Sequence, residues 1–307
     1  MKFNHTAEEL NRLQNLSLEE KITLSKLRIT EWYQHWQGKV CVSYSGGKDS
    51  TVLLNLVREL YPDVPAVYVD TRLDYPEVRK HVKATNNVII LKPEMSFREV
   101  INKYGFCFPG KEVAQAIEQA KNGSAKVLNY FAGKNGDGTE NVIHYRNFAK
   151  WKFLIDIPVK ISAKCCNVMK EKPLEKFQRE NKLKPYVGLL ATDSLRRRYA
   201  WYMTGCNAFS AGKSKPLSFW TEQDILRYIV KFNLKIPSAY GEIIFDKNGK
   251  LRTTREKRTG CIFCPIGAHL EKPNKFQRLR ESHPNLYRYC MKELGLYTFL
   301  SAVGVAY

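Results

Sequence analysis

Six consecutive residues combine two glycines with a lysine, a carboxylate and two hydroxyls: Ser45, Gly46, Gly47, Lys48, Asp49 and Ser50. Adjacent glycines let the backbone approach a ligand, and a helix that starts here points unpaired amides and the positive end of its dipole at that ligand. Such a turn binds anions, above all phosphate. No glycine stands five places before Gly47, so this is not the GxxxxGK[ST] loop. The alternative is an ordinary glycine-rich turn between a strand and a helix.

Four of the eight cysteines form two pairs, the adjacent Cys165 and Cys166, and Cys261 and Cys264 with CxxC spacing. In a cytosolic protein such pairs indicate a metal site rather than disulfides. Four thiolates suit zinc or a [4Fe–4S] cluster, although adjacent ligands are unusual for structural zinc. Basic neighbours would offset the thiolate charge: Lys164, Lys170, Lys172, Arg255, Lys257 and Arg258. The single cysteines are typical of small buried hydrophobic residues: Cys41, Cys107, Cys206 and Cys290.

The segments around the glycines predict how these residues are positioned. Residues 39–43 are β-branched and predict a strand, whereas residues 51–60 have apolar side chains at helical spacing. Residues 65–71 and 87–91 are near-continuous apolar runs, as strands buried on both faces require, and a helical segment lies between them. This alternation predicts an α/β fold, with a parallel twisted sheet and helices on both faces.

Two polar residues follow the second predicted strand, Asp70 and Thr71. Ligands of parallel α/β sheets bind beyond the carboxyl ends of the strands, where the glycine turn also falls. We therefore expect Asp70 and Thr71 to contact a bound nucleotide, with Asp70 holding its ribose or adenine. The alternative for Asp70 is a cap of the next helix.

The chain divides into three parts by its sequence pattern. Residues 1–38 predict helices with caps at Thr6 and Ser17, and residues 39–235 form the nucleotide-binding α/β domain. A polar, glycine-containing insertion spans about residues 122–142 of that domain, and it is either a mobile lid or a solvated loop. Residues 236–307 form a C-terminal region with the CxxC pair and interleaved basic and aromatic residues.

Composition restricts the compartment and the partners. No apolar run is long enough to span a bilayer, and the first residues lack the apolar stretch of a signal peptide, so we expect a cytoplasmic protein that contacts no membrane. Lys and Arg number 50 against 30 Asp and Glu, which gives a net charge of +20. Because phosphate contacts release counterions, this excess favours a nucleic-acid partner; a pocket for small sulfated nucleotides, or a basic surface without a specific ligand, is the alternative.

Several motifs resemble those of a known family. Residues 45–50 are similar to the SGGxDS pyrophosphate (PP) loop of the ATP pyrophosphatases, and residues 165–174 resemble the CCxxxKxxPL segment of the iron–sulfur sulfonucleotide reductases. Residues 188–197 and 216–225 resemble the GxRxxxSxxR and PLxxWTxxDI motifs of the same reductases. The chain is identified as a member of the phosphoadenosine phosphosulfate (PAPS) reductase family, with the adenine nucleotide α-hydrolase fold. The resemblance implies one [4Fe–4S] cluster on the four paired cysteines.

Three departures from the reductase pattern favour a different reaction. The chain ends without the ECG[LI]H segment that carries the reductase nucleophile, Leu190 replaces a family arginine, and the phosphate loop is intact where reductases have a degenerate one. Together with the +20 charge, these differences resemble the sulfurtransferases that thiolate nucleic acids. We therefore expect an ATP-dependent enzyme that adenylates and thiolates tRNA or DNA, with a sulfur donor such as a cysteine desulfurase.

The resemblance to sulfurtransferases implies a role for each candidate residue. Lys48 and the loop amides would stabilise the leaving pyrophosphate with Mg²⁺, and Asp49 would orient the loop or hold the metal. Arg196 and Arg197 would lie near phosphates, or be plain surface charges. Two alternatives stay open: an APS or PAPS reductase that uses Cys206 or Cys290 as nucleophile, and a non-catalytic, zinc-containing nucleic-acid-binding protein.

Overall fold

The computed structural model describes residues 3–307. Its strands are β1 (Val40–Ser43), β2 (Ala66–Val69), β3 (Val88–Leu91), β4 (Lys184–Val187), β5 (Asn207–Ala208), β6 (Lys213–Ser214), β7 (Ile243–Phe245) and β8 (Leu251–Thr253). Its α-helices are α1 (Ala7–Gln14), α2 (Leu18–His35), α3 (Lys48–Leu60), α4 (Pro76–Lys83), α5 (Phe97–Tyr104), α6 (Lys111–Lys121), α7 (Ala125–Phe131), α8 (Val142–Phe148), α9 (Lys164–Cys166), α10 (Lys172–Glu180), α11 (Leu195–Thr204), α12 (Glu222–Lys231), α13 (Lys275–Ser282), α14 (Pro284–Arg288) and α15 (Leu296–Ala302).

The chain folds into two compact units. Among the described residues, the first unit comprises residues 3–92 and Pro173–Thr259, and the second comprises Pro93–Lys172 and Gly260–Tyr307. None of the helices in residues 3–307 combines the length and the apolar character that crossing a membrane requires.

A six-stranded sheet organises the first unit, with the order β3-β2-β1-β4-β6-β5. All neighbouring strands are parallel except β5 and β6. Strand β1 lies at the point where the strand order reverses, since β2 lies on one side of it and β4 on the other. The predicted parallel α/β fold is therefore confirmed. In such sheets a crevice for ligands opens at this reversal, beyond the carboxyl ends of the strands.

Burial along the sheet follows strand position. All four residues of β2 are buried, as predicted for a strand covered on both faces. Strand β3 was predicted to be equally buried, and this prediction is wrong, because Ile90 is exposed and its neighbours are half-buried. The physical reason is that β3 lies at an edge of the sheet, with a neighbouring strand on one side only.

The helices before the sheet are capped as predicted. The Thr6 hydroxyl accepts the amide of Glu9, and Ser17 forms a capping box with Glu20. Helix α2 then buries Trp32 completely. The Trp32 indole donates a hydrogen bond to the Lys184 carbonyl oxygen (3.4 Å), which fixes α2 to the amino end of β4.

The second unit is mainly helical. The polar insertion at residues 122–142 was predicted to be a lid or a loop, but it contains helix α7, which buries Val127 and Phe131. Its apolar positions therefore contribute to packing despite the surrounding glycines. Elsewhere in this unit, a bridge pairs Phe106 with Ile161, a few residues before Cys165.

Candidate active site and cysteine group

The glycine turn connects β1 to α3, as the sequence predicts. Gly47 is the N-cap of α3, and Gly46 has a φ of +70°, in the left-handed region that favours glycine. A Cβ atom at Gly46 would lie 2.5 Å from Val82 and 2.9 Å from Val78, both on α4. Gly46 is therefore required both by its backbone conformation and by the close approach of α4.

The two serines of the turn hold its shape. The Ser45 and Ser50 hydroxyl oxygens lie 3.0 Å apart, and the amide of Gly47 donates to Ser45 Oγ at 3.3 Å. Ser50 Oγ also donates to the carbonyl oxygen of Gly47 at 2.9 Å. These bonds close the turn around the amino end of α3, which is the anion-binding end of a helix dipole.

Lys48 is buried at the amino end of α3, with 3 % of its surface exposed. Its ammonium nitrogen lies 3.4 Å from Asp49 Oδ1 and 3.6 Å from Glu222 Oε1, and it donates to the Lys257 carbonyl oxygen at 3.2 Å. Burial raises the pKa of the Asp49 carboxyl, and the positive charge of Lys48 opposes that rise. The turn thus holds a buried cation with three oxygen neighbours.

Tyr240 closes the same helix end, and it was not singled out from the sequence. The Lys48 amide donates to the Tyr240 hydroxyl at 3.0 Å, and this hydroxyl lies 2.9 Å from Thr259 Oγ1. Burial raises the pKa of Tyr240. No local signal marks either residue, because both are far from the glycine turn in the sequence.

Asp70 and Thr71 follow β2 at the same sheet edge. The Asp70 carboxylate is 10 % exposed and lies 3.2 Å from the Arg79 guanidinium, and it also accepts the amide of Arg72 at 3.1 Å. Thr71 is buried, and its hydroxyl accepts the amide of Leu73. Both side chains are engaged within the protein, so their contact with a nucleotide stays a prediction.

The two candidate arginines lie in the first turn of α11 and differ in their surroundings. Arg197 forms an ion pair with Asp193, whereas Arg196 is exposed. Asp193 also pairs with Arg258, and the charges of Asp193 and Arg258 both act on Asp49. Arg258 was predicted to lie beside the cysteines, but the structure places it with Asp193, within the first unit. It is therefore a basic residue near the glycine turn that the sequence did not assign there.

The second unit contains the four paired cysteines, all as free thiols and half-buried. Burial raises the pKa of Cys165, and the nearby thiols of Cys261, Cys166 and Cys264 raise it further. Burial raises the pKa of Cys264 to about 11, against the opposing charge of Lys275. The thiols of the two predicted pairs therefore lie close enough for their charges to affect one another. Within residues 3–307, no group of three or more His, Cys, Asp or Glu side chains is arranged to hold a metal ion.

Residues outside the predicted set surround these thiols. Lys275 Nζ donates to the Cys261 carbonyl oxygen at 2.9 Å, and the charge of Lys111 acts on Cys166. Cys107 is buried, and burial together with the thiols of Cys264 and Cys166 raises its pKa to about 12. Of the predicted basic neighbours, Lys164 pairs with Glu118 at 2.7 Å. Four thiols flanked by lysines have the donor chemistry of an iron–sulfur site.

The fold and the turn together define an α/β protein whose glycine turn lies at the switch point of a parallel sheet, where such sheets bind ligands. The phosphoadenosine phosphosulfate reductase domain model matches residues 39–266, which is most of the chain. The chain belongs to this family, an enzyme family of the PP-loop superfamily.

Curated relatives and a solved structure share this similarity. An adenosine 5'-phosphosulfate reductase of Bacillus cereus (strain Q1) is 23% identical over 217 residues, covering 70% of this chain and 74% of the relative. One of Staphylococcus epidermidis (strain ATCC 12228) is 23% identical over 214 residues, covering 67% and 68%. The crystal structure of PAPS reductase from Candida auris, a phosphate complex, matches with a TM-score of 0.38 and 15% identity, covering 81% of this chain and 100% of that chain.

These relatives contradict the predicted nucleic-acid sulfurtransferase, because they are named as sulfonucleotide reductases. The prediction is wrong because it took the intact glycine turn to be specific for ATP. A helix amino end with two glycines binds an anion, but phosphosulfate and triphosphate both satisfy it. An intact turn therefore does not identify ATP as the reacting substrate.

Proposed function

We propose that the chain is a sulfonucleotide reductase, which converts adenosine 5'-phosphosulfate to AMP and sulfite with electrons from thiols. The observation that carries this proposal is the family match over residues 39–266, with relatives named for this reaction. The anion-binding turn at the sheet's switch point supports it, because a phosphosulfate group needs such a site.

The nucleotide would bind with its phosphosulfate at the amino end of α3. The buried ammonium group of Lys48 would stabilise the negative charge that develops on the phosphate of the leaving AMP. Leu190 is buried at 2 % exposure and provides no charge for the sulfate. We assign that role to Arg258, whose guanidinium pairs with Asp193 and whose charge reaches Asp49.

The attacking thiol would come from a separate dithiol reductant. The two cysteines proposed from the sequence as nucleophiles, Cys206 and Cys290, are buried, and burial raises the pKa of Cys290 to about 12. A thiolate of the reductant attacks the sulfate sulfur, and the bond from sulfur to the phosphate oxygen breaks, which releases AMP. Its second thiolate then attacks the sulfur bound to the sulfonate, so sulfite leaves, a disulfide forms and two electrons pass to the substrate. A cytoplasmic location forms part of this proposal, since free thiols persist in reducing compartments.

We further propose that Cys165, Cys166, Cys261 and Cys264 hold a [4Fe–4S] cluster, with zinc as the alternative. The support is the chemistry of the donor set, since the thiols of Cys261, Cys166 and Cys264 raise the pKa of Cys165 and Lys275 donates to the Cys261 carbonyl oxygen. When bound, the cluster would supply redox-active iron. Lys275, through its bond to the Cys261 carbonyl, would fix the CxxC turn.

The proposal is tested by incubating anaerobically purified protein with adenosine 5'-phosphosulfate and a dithiol, and by measuring sulfite and AMP. We expect one sulfite for each AMP, and a loss of at least about tenfold in kcat/KM for Lys48→Ala, since charged hydrogen bonds contribute about 1.5–3 kcal/mol. Lys235→Ala, at an exposed lysine of the same unit, removes an equal charge and should retain activity. Folded protein that releases no sulfite from this substrate or from its 3'-phosphorylated form would overturn the assignment.

A further inference from the structure

A cavity of about 550 Å³ lies in the first unit, apart from the glycine turn. It is lined by the end of α2, the residues that lead into β1 and β4, and the last turn of α10. The amino ends of β1 and β4 are paired side by side, so the cavity lies at the amino edge of the sheet. The glycine turn lies at the carboxyl edge, and the cavity is therefore a different site.

Four cationic side chains line this cavity, Lys39, Arg179, Lys182 and Lys184. Within the part of the chain that the structure describes, none of them pairs with a carboxylate. The lining carboxylate, Glu175, lies 3.7 Å from Lys213 instead. Like charges gathered around one cavity repel one another, and an anion in the cavity would relieve that repulsion.

The helix ends beside the cavity do not account for this charge. The carboxyl ends of α2 and α10 each carry about half a negative charge, which favours nearby cations. The four cations are offset by the Glu175 carboxylate and by about one charge from the two helix ends, which leaves an excess of about two positive charges. The excess is larger than one small monovalent anion neutralises.

The walls of the cavity add apolar and hydrogen-bonding surface to this charge. Trp36, Leu183 and Pro185 line it, and the Lys184 ammonium lies 4.6 Å from the centre of the Trp36 ring. Gln178, only 8 % exposed, lines it as well, and its amide nitrogen donates to Ser43 Oγ at 3.3 Å. A volume of this size is typical of small-molecule sites.

We propose that this cavity is a second anion-binding site, which takes the phosphates of a nucleotide, either free or within a single strand of nucleic acid. The cations bind the phosphates and the apolar wall packs against the base, which is how proteins combine electrostatic and stacking contacts with nucleotides. This proposal is independent of the proposed reductase activity.

The test uses a Lys48→Ala background, which weakens binding at the glycine turn. The cavity variant is Lys39→Gln with Lys182→Asn, because Lys182 has a φ of +55° and asparagine tolerates that conformation. The control variant is Lys235→Gln with Lys247→Gln, which removes the same charge from exposed positions of the same unit. The probes are a fluorescein-labelled single-stranded deoxythymidine oligonucleotide, followed by anisotropy, and ATP, followed by calorimetry.

Two lost phosphate contacts lower the salt slope for a single strand by about 1.4 and weaken binding about 25-fold at 0.1 M salt. We expect this loss in the cavity variant and a smaller one in the control. A selective loss for the oligonucleotide identifies a nucleic-acid strand as the source of the phosphates, and a selective loss for ATP alone identifies a free nucleotide. Equal losses in the cavity and control variants, or no loss for either probe, would overturn the proposal and leave the cations as neighbours of two helix ends.

Discussion

Replacement of Gly46 by alanine is the sharpest test of how the glycine turn is built. At a φ of +70° an L-residue costs about 1–2 kcal/mol. The added Cβ would also lie 2.5 Å from Val82 Cγ2, and overpacking of this kind costs about 1–3 kcal/mol. We therefore expect Gly46→Ala to lower the free energy of unfolding by about 2–5 kcal/mol, measured by urea denaturation.

A matched control separates the two contributions. Gly249 has the same φ of +70°, but a Cβ added there would meet no atom within 4 Å, so Gly249→Ala should show the conformational cost alone. Val82→Ala removes the atom that the new Cβ would meet, and the double variant Gly46→Ala with Val82→Ala should lose less stability than the sum of the single variants. If Gly46→Ala costs no more than Gly249→Ala, the close approach of α4 to the turn is refuted.

The remaining predictions concern the proposed metal site, the glycine turn and the nucleotides proposed to bind there. Cys166→Ser should remove iron and labile sulfide from anaerobically purified protein, while Cys290→Ser should not; stoichiometric zinc without iron in the unsubstituted protein would instead support the zinc alternative. Because burial raises the pKa of Asp49 above its ordinary 3.8, the unfolded state loses this proton first, and stability falls as the pH rises from about 3.8 to the folded-state pKa. Asp49→Asn should therefore unfold at higher temperature than the unsubstituted protein at pH 7, and this gap should close below about pH 3.8; a gap that is constant with pH contradicts the assignment. ATP with Mg²⁺, the nucleotide expected from the intact turn, should bind by calorimetry and be displaced by adenosine 5'-phosphosulfate, and Lys48→Ala should abolish that competition.

The sequence predicts those structural features that depend only on residues close together in the chain. The apolar run of β2, the caps at Thr6 and Ser17 and the turn that opens α3 all follow from neighbouring residues. The exposure of Ile90 does not, because the order of strands in a sheet decides which strand is at the edge. Local pattern specifies an element but not its neighbours.

The candidate site shows the same division. The six residues of the turn and the cysteine pairs are visible in the sequence, whereas Tyr240, Arg258 and Lys275 reach their positions only through tertiary structure. For the reaction, the sequence alone favoured a nucleic-acid sulfurtransferase, whereas the named relatives support a sulfonucleotide reductase. A turn of this kind indicates that the ligand is an anion. It does not indicate which atom of the ligand is attacked, because that depends on residues and reactants outside the turn.

The hydroxyl of Tyr240 competes with any bound anion for the amide of Lys48. Any anion that accepts the Lys48 amide must first break the bond that this amide makes to Tyr240. A hydrogen bond of this kind contributes about 0.5–1.5 kcal/mol, so it reduces the affinity of a ligand that uses this amide about two- to tenfold. An isolated inorganic anion has few contacts with which to offset that reduction, whereas a whole nucleotide has many. We therefore expect Tyr240 to weaken the binding of simple anions more than the binding of a complete nucleotide substrate.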